Sequence, residues 1–179
     1  MFTVISIFAL IFFDQLIKMW AASILISKPQ QTVAIIKDVL HLTYVENRGA
    51  AFGILENMRW LFITSTIILV IYFSYRLIRK SDKLLFSRIG VALIIAGGAG
   101  NLIDRIFRGY VIDYVDFRLI NFAVFNLADS CVVIGTILFC IGILLSENRR
   151  DSEPISQRDA GLINKDDKID DGTDFESIV

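Results

Sequence analysis

Four long apolar segments dominate the chain and restrict what it can fold into. The first runs from Phe2 to about Ala22 and is interrupted by Asp14 and Lys18; the second, Trp60 to Tyr75, is bounded by Arg59 and Arg76. The third covers roughly Leu84 to Ile103, with Arg88 near its start and the small-residue stretch AGGAG at 96–100. The fourth runs from about Phe122 to Ser146. Each is near the length, about 17–25 residues, that carries an α-helix across about 30 Å of hydrocarbon. At 55% hydrophobic residues and a mean hydropathy of +0.61, a chain of 179 residues is more apolar than a water-soluble domain of this size needs to be. The fold expected is an all-α integral membrane protein with four transmembrane helices. A cleavable leader is the other reading of the first segment. It lacks a basic n-region and no small-residue cleavage site follows, so a retained helix is expected.

Charge divides the chain unevenly. Residues 1–146 carry 13 Lys and Arg against 9 Asp and Glu, whereas residues 147–179 carry 5 against 10. The acidic tail, 147–179, has neither helical nor strand periodicity and too little apolar area to offset its ordering entropy, so it is expected to be disordered. Arg76, Arg79, Lys80, Lys83 and Arg88 between the second and third spans mark that loop as cytoplasmic, and Arg149 and Arg150 after the fourth agree. Both termini then lie inside, and residues 27–58 and 106–121 face the outer side.

The outer segment about 27–58 has structure of its own. VLHLTYV at 39–45 alternates and is rich in β-branched and aromatic residues, the pattern of a short strand or hairpin. NRGAAFG at 47–53 can turn sharply and let another backbone approach closely. His41, the sole histidine, reads as a surface strand residue rather than a ligand. Cys131 and Cys140 on one helix would stand about 13 Å apart along its axis, too far for a disulfide. No C-x-x-C or histidine cluster points to a metal, and no phosphate loop is present.

Charged side chains inside a bilayer are costly, several kcal/mol each by insertion scales, so their positions carry information. Asp14 and Lys18 stand i,i+4 on the first span and can neutralise one another. Asn101, Asp104 and Arg105 follow AGGAG and share one face at the outer end of the third span, where the glycines allow tight helix packing. Asn126 and Asp129 stand i,i+3 at the outer start of the fourth. With Asp113 and Asp116 in the outer loop, four acids gather on one side of the membrane. Without a serine–histidine set or metal signature, carboxylate chemistry remains. Two close carboxylates in a partly dry site share one proton; the ionised member takes a proton from water and the protonated one gives a proton to a carbonyl oxygen.

Five stretches, DQLIK (14–18), NRGAAFG (47–53), GNLIDR (100–105), VIDYVD (111–116) and FNLADS (125–130), resemble in this order the motifs of lipoprotein signal peptidase, or signal peptidase II. The resemblance covers about residues 10–145 and touches all four spans. It implies a bacterial inner-membrane aspartyl endopeptidase that removes signal peptides from prolipoproteins carrying diacylglycerol on the future N-terminal cysteine. By matching motifs the catalytic pair would be Asp113 and Asp129. Asn47, Gly49, Asn101, Arg105 and Asn126 would line the site and hold substrate, and Asp14, Lys18 and Asp104 would be polar support. The outer segment would form a small outward-facing β-sheet cradle on a four-helix peptidase domain, 1–146. The implied partners are prolipoprotein substrates and membrane lipids, with no cofactor, metal or nucleic acid.

Asp104 is the rival to Asp113. Arg105, its neighbour in sequence, is expected to pair with it and leave it no proton to give, whereas Asp113 on an outer loop is freer to meet water. Two other readings compete. A transporter or proton-relay subunit would spread its acids through several depths, but apart from Asp14 they gather on the outer side. A prepilin-type aspartyl peptidase would offer a different motif order.

Overall fold

The computed structural model describes residues 2–50, 54–79 and 84–151. The chain divides into Met1–Gly142, described below, and Ile143–Val179, of which the described part is the last turns of one helix. The expected disorder of the acidic tail, the turn at 51–53 and part of the basic loop at 80–83 fall outside the described residues.

The four spans are helices: α1 (Phe2–Leu25), α2 (Arg59–Ile78), α3 (Leu85–Phe107) and α4 (Leu127–Asp151). All four are long and apolar enough to cross a membrane. Their outward faces are apolar, with Phe8 68% and Trp60 73% exposed, while the buried charges Asp14, Lys18 and Asp104 point inward. This inversion of the soluble pattern is what a hydrocarbon surround demands. α3 is the central helix. Its Val91, Ala92, Ile95 and Ala96 pack with Ile7 of α1 and with Val70, Phe73 and Phe139 around them.

α3 and α4 touch backbone to backbone. A Cβ on Gly97 would lie 2.3 Å from the Ala128 carbonyl oxygen, and one on Gly90 would lie 2.6 Å from that of Gly135. Only glycine permits this approach. The packing expected of AGGAG is therefore present, and it holds the first turn of α4 against α3.

The sheet has three antiparallel strands in the order β1 (Thr32–Ile36), β2 (Leu40–Asn47), β3 (Val111–Phe117). The hairpin turn uses Asp38 at φ 59°, a left-handed position that aspartate tolerates well. Expected as outer loop, residues 111–117 instead form the third strand, because their Val, Ile, Tyr and Phe side chains continue the apolar surface of β2. His41 lies in a strand as expected but is buried, not on the surface: β2 is central and places it between Ala34 and Asp116. Both cysteines are free.

Two junctions fix where the sheet stands over the helices. Ala21 and Leu25 at the end of α1 form a buried cluster with Tyr44, Ile112 and Tyr114. The free edge of β3 is closed by the chain leading into α4, with Val115 N donating to Phe125 O at 2.8 Å and Phe125 N returning to Val115 O at 3.1 Å. The fourth helix thus begins at Leu127, later than the apolar run from Phe122, since 122–125 serves as strand-edge cover.

Candidate active site

Side chains alternate across a strand, so Ile112 and Tyr114 of β3 face the apolar cluster while Asp113 between them points the other way. Asp113 is 1% exposed. The expectation of a loop residue open to water is corrected: Asp113 is a buried strand residue. Asn126 Nδ2 donates to its Oδ1 at 2.6 Å, and Asn47 Nδ2, from the end of β2, donates to its Oδ2 at 2.9 Å. Burial, and next the negative charge of Asp129, push the Asp113 carboxyl from the ordinary 3.8 up to about 7, against the pull of those two amides.

Asp129 is the third residue of α4, and Asn126 is its N-cap. Asp129 N donates to Asn126 Oδ1 at 2.9 Å, and Asn126 N donates back to Asp129 Oδ2 at 3.1 Å. This is the reciprocal geometry of a capping box built from Asn and Asp. The other leading N–H groups also have side-chain acceptors. Leu127 N donates to the Tyr114 hydroxyl at 3.2 Å and Ala128 N to Asp14 Oδ1 at 3.1 Å. Burial pushes that hydroxyl up to about 12, so it stays neutral. The remaining oxygen of Asp129, Oδ1, accepts from Asn101 Nδ2 at 2.7 Å.

Beneath this lies a buried charge network between α1 and α3. Lys18 Nζ is 2.9 Å from Asp14 Oδ2, 2.8 Å from Asp104 Oδ2 and 2.9 Å from Asn101 Oδ1. Asp104 pairs through its other oxygen with Arg108, one helical turn on, and Arg108 also donates to Gln15 Oε1 at 3.0 Å. The expected Asp104–Arg105 pair is therefore not the arrangement found. Adjacent helical residues diverge by about 100°, and Arg105 instead donates to Gly49 O at 3.1 Å and lies over the Phe62 ring, 4.8 Å from its centroid.

Asp113 and Asp129 line one cavity of about 610 Å³, together with Asn47, Gly49, Asn101 and Arg105. Its other wall is apolar, formed by Phe62, Leu69, Val70, Ile94, Val132 and Ile134 from α2, α3 and α4. Asp14, Lys18 and Asp104 stand behind Asn101 and do not line it. Asp116 is also outside. Burial alone would raise its carboxyl, but Arg118 and Thr43, at 2.8 and 2.7 Å, outweigh burial and hold it below the ordinary value. Among the described residues there is no group of three or more His, Cys, Asp or Glu able to hold a metal ion.

Several supporting residues had no expectation attached. Arg108 was detectable as an i,i+4 partner of Asp104. Tyr114, Gln15, and Arg59, whose Nε donates to Arg105 O at 2.7 Å, meet the site only through tertiary packing.

A chain with this geometry has relatives. Residues 6–145 match the family described as Signal peptidase (SPase) II. The lipoprotein signal peptidase of Clostridioides difficile (strain 630) is 46% identical over 149 residues, 83% of this chain and 99% of that protein. The lipoprotein signal peptidase of Halothermothrix orenii is 47% identical over 139 residues, covering 76% of this chain and 91% of that one. Two solved structures, each described as a bacterial membrane enzyme determined by the in meso method, share the fold. The first has a TM-score of 0.75 at 31% identity over 86% of this chain and 93% of its own. The second has a TM-score of 0.70 at 34% identity over 79% and 92%. None of these matches favours a transporter or proton-relay subunit. Four membrane-length helices, a three-stranded sheet and this run of matches lead to one conclusion: the chain belongs to the signal peptidase II family of membrane proteases.

Proposed function

We propose that Asp113 and Asp129 are the catalytic dyad of an aspartic endopeptidase that cleaves diacylglyceryl-modified bacterial prolipoproteins. One observation carries this reading: two carboxylates from different elements, β3 and α4, line the same cavity and both bind Asn126, Asp113 through the Asn126 side-chain amide and Asp129 through the Asn126 backbone N–H. Asp104, the rival, has both oxygens in ion pairs and does not line the cavity.

In this mechanism Asp113 is the acid that carries the proton and Asp129 is the base that accepts one. The Asp129 carboxylate takes a proton from water as the water oxygen attacks the scissile carbonyl carbon, and Asp113 gives its proton to the carbonyl oxygen. The gem-diol then collapses. Asp129 returns its proton to the leaving nitrogen as the C–N bond breaks, and Asp113 recovers a proton from the diol hydroxyl. Both acids end as they began.

Asn47, Gly49, Asn101 and Arg105 line the cavity and hold the substrate backbone in this reading. Asn126, expected to line the site, is instead fully buried outside the lining and holds the two acids. Arg105 is suited to it, since its planar fork already grips a backbone carbonyl, that of Gly49. The apolar wall of the cavity suits the end of a signal peptide and the lipid chains beside the scissile bond. The basic residues between α2 and α3 support an orientation with both termini in the cytoplasm and the dyad toward the outer face of the inner membrane, in contact with membrane lipids.

The test offers purified protein a diacylglyceryl-modified prolipoprotein and its unmodified form. Wild type cleaves the modified form, while Asp113→Asn and Asp129→Asn are silent yet unfold at near wild-type temperature. Full activity in either variant reassigns the dyad, and wild-type cleavage of the unmodified form at the same rate removes the lipid from recognition.

A further inference from the structure

Lys18 is fully buried and touches neither proposed dyad acid. Its ammonium carries three donors and no acceptor. It is ion-paired with Asp14 and Asp104 and donates to Asn101 Oδ1. An amide has two unlike ends. With its oxygen held by Lys18, and also by Asn126 Nδ2 at 3.2 Å, Asn101 can turn only its NH2 to Asp129. Flipped, that amide would set its NH2 against an ammonium and its oxygen against a carboxylate, which is repulsive at both ends.

We infer that Lys18 is a positioning residue for hydrolysis: by orienting the Asn101 amide it ensures that the water-activating carboxylate of Asp129 always faces a donor. Asp14 reinforces the device, since one oxygen anchors Lys18 while the other takes the Ala128 N–H in the first turn of α4. The first span therefore grips both supports of Asp129, its helix and its amide neighbour. The charged and titratable groups around the dyad are Tyr114 from β3, Arg105 and Asp104 from α3, and Lys18 and Asp14 from α1. A pH profile accordingly reports the cluster rather than one acid.

The inference rests on the dyad reading and is tested by pH–rate profiles on diacylglyceryl-modified prolipoprotein. Lys18→Met is combined with Asp104→Asn, which removes one cation and one anion together. The expected result is a loss in kcat of about 10- to 100-fold, within the range that proton-transfer groups contribute, with KM nearly unchanged. The acidic limb moves up by about one pH unit, a tenfold change in proton affinity. Lys18→Arg, still donor-only, keeps the limb where it was. In an Asn101→Ala background the Lys18→Met/Asp104→Asn pair adds less than about a threefold further loss, since coupled residues are not additive.

An unmoved limb in the folded double variant, or fully additive losses in the Asn101→Ala background, overturns the inference. Should the double variant fail to fold, Asn101→Asp decides. It still accepts from Lys18 but has no NH2 for Asp129, so its acidic limb must rise, and an unmoved limb overturns the role. Activity retained in Asp129→Asn sinks the dyad itself. A silent Asp129→Asn with an unmoved limb in the Lys18 variant sinks only the role of Lys18.

Discussion

Asp113 and Asn126 are bound at 2.6 Å, and the same Asn126 side chain accepts the backbone N–H of Asp129 at 2.9 Å. One amide thus ties the carboxylate of Asp113 to the backbone of Asp129 on another element, and it does so while capping the helix that carries Asp129. Holding the acids in register and starting α4 are a single structural act.

The two duties can be separated. Asn126→Ser keeps an N-cap oxygen but lacks the NH2 that reaches Asp113. Ser caps nearly as well as Asn, whereas Ala costs about 1 kcal/mol, equal to about 2–4 °C in a protein this size. Asn126→Ser is expected to melt within a few degrees of wild type and to lose about 100-fold or more in kcat; Asn126→Ala loses both. Thermal unfolding in detergent beside a cleavage assay checks this. Activity within about threefold of wild type in the Ser variant would show that the amide link is dispensable.

Under the proposed mechanism activity is expected to fall as pH rises through about 7, because Asp113 must then hold its proton to serve the carbonyl oxygen. The effect on stability has the same sign. A carboxyl raised in the folded state from 3.8 to about 7 contributes stability that is complete below the lower value and is lost as pH climbs through the upper one. Melting temperature followed across that window should decline in wild type and decline less in Asp113→Asn. Parallel curves for the two proteins would remove Asp113 as the source.

Asp104→Asn is expected to destabilise more than it inactivates. Removing one partner of a buried ion pair costs about 3–5 kcal/mol, since the opposite charge is left uncompensated. Here Lys18 and Arg108 both lose a carboxylate oxygen partner. A markedly lowered melting temperature with partial turnover is the expected outcome. Wild-type stability with no turnover would instead make Asp104 a member of the dyad.

Neighbouring glycines in α3 should respond oppositely. Gly97→Ala drives a methyl group to 2.3 Å from the Ala128 carbonyl, so the first turn of α4 must move, taking Asp129 with it. Gly98→Ala meets nothing nearer than the Val70 Cγ2 at 3.3 Å and gains about 1 kcal/mol of helix propensity. The first variant should lose stability and cleavage together, and the second should keep its melting temperature within a few degrees. Equal behaviour of the two would mean that the α3–α4 contact yields easily.

The helices were readable from sequence because apolar length is a local property, and AGGAG announced a close contact without naming its partner. β3 was missed since VIDYVDF alternates only weakly: it is covered on both faces, so its apolar residues do not fall into the period of two. The partners of Asp104 were misjudged for a geometric reason. Adjacency in sequence put Arg105 beside it, whereas a helix turns residue 105 away and returns residue 108. FNLAD carried a capping signal in plain view, yet the acceptors for Leu127 and Ala128 come from β3 and α1, which no local pattern encodes.

The first turn of α4 draws its acceptors from residues 14, 114, 126 and 129, so its completion needs both ends of the membrane domain at once. During synthesis the opening span waits through four later elements, β1, β2, α2 and α3, before it meets the strand and helix it completes. A half-made chain in the bilayer therefore lacks the completed first turn of α4, and under the proposed mechanism hydrolytic competence arrives only with the last insertion. For a protease surrounded by other membrane proteins, late arming of this kind limits harm to its neighbours.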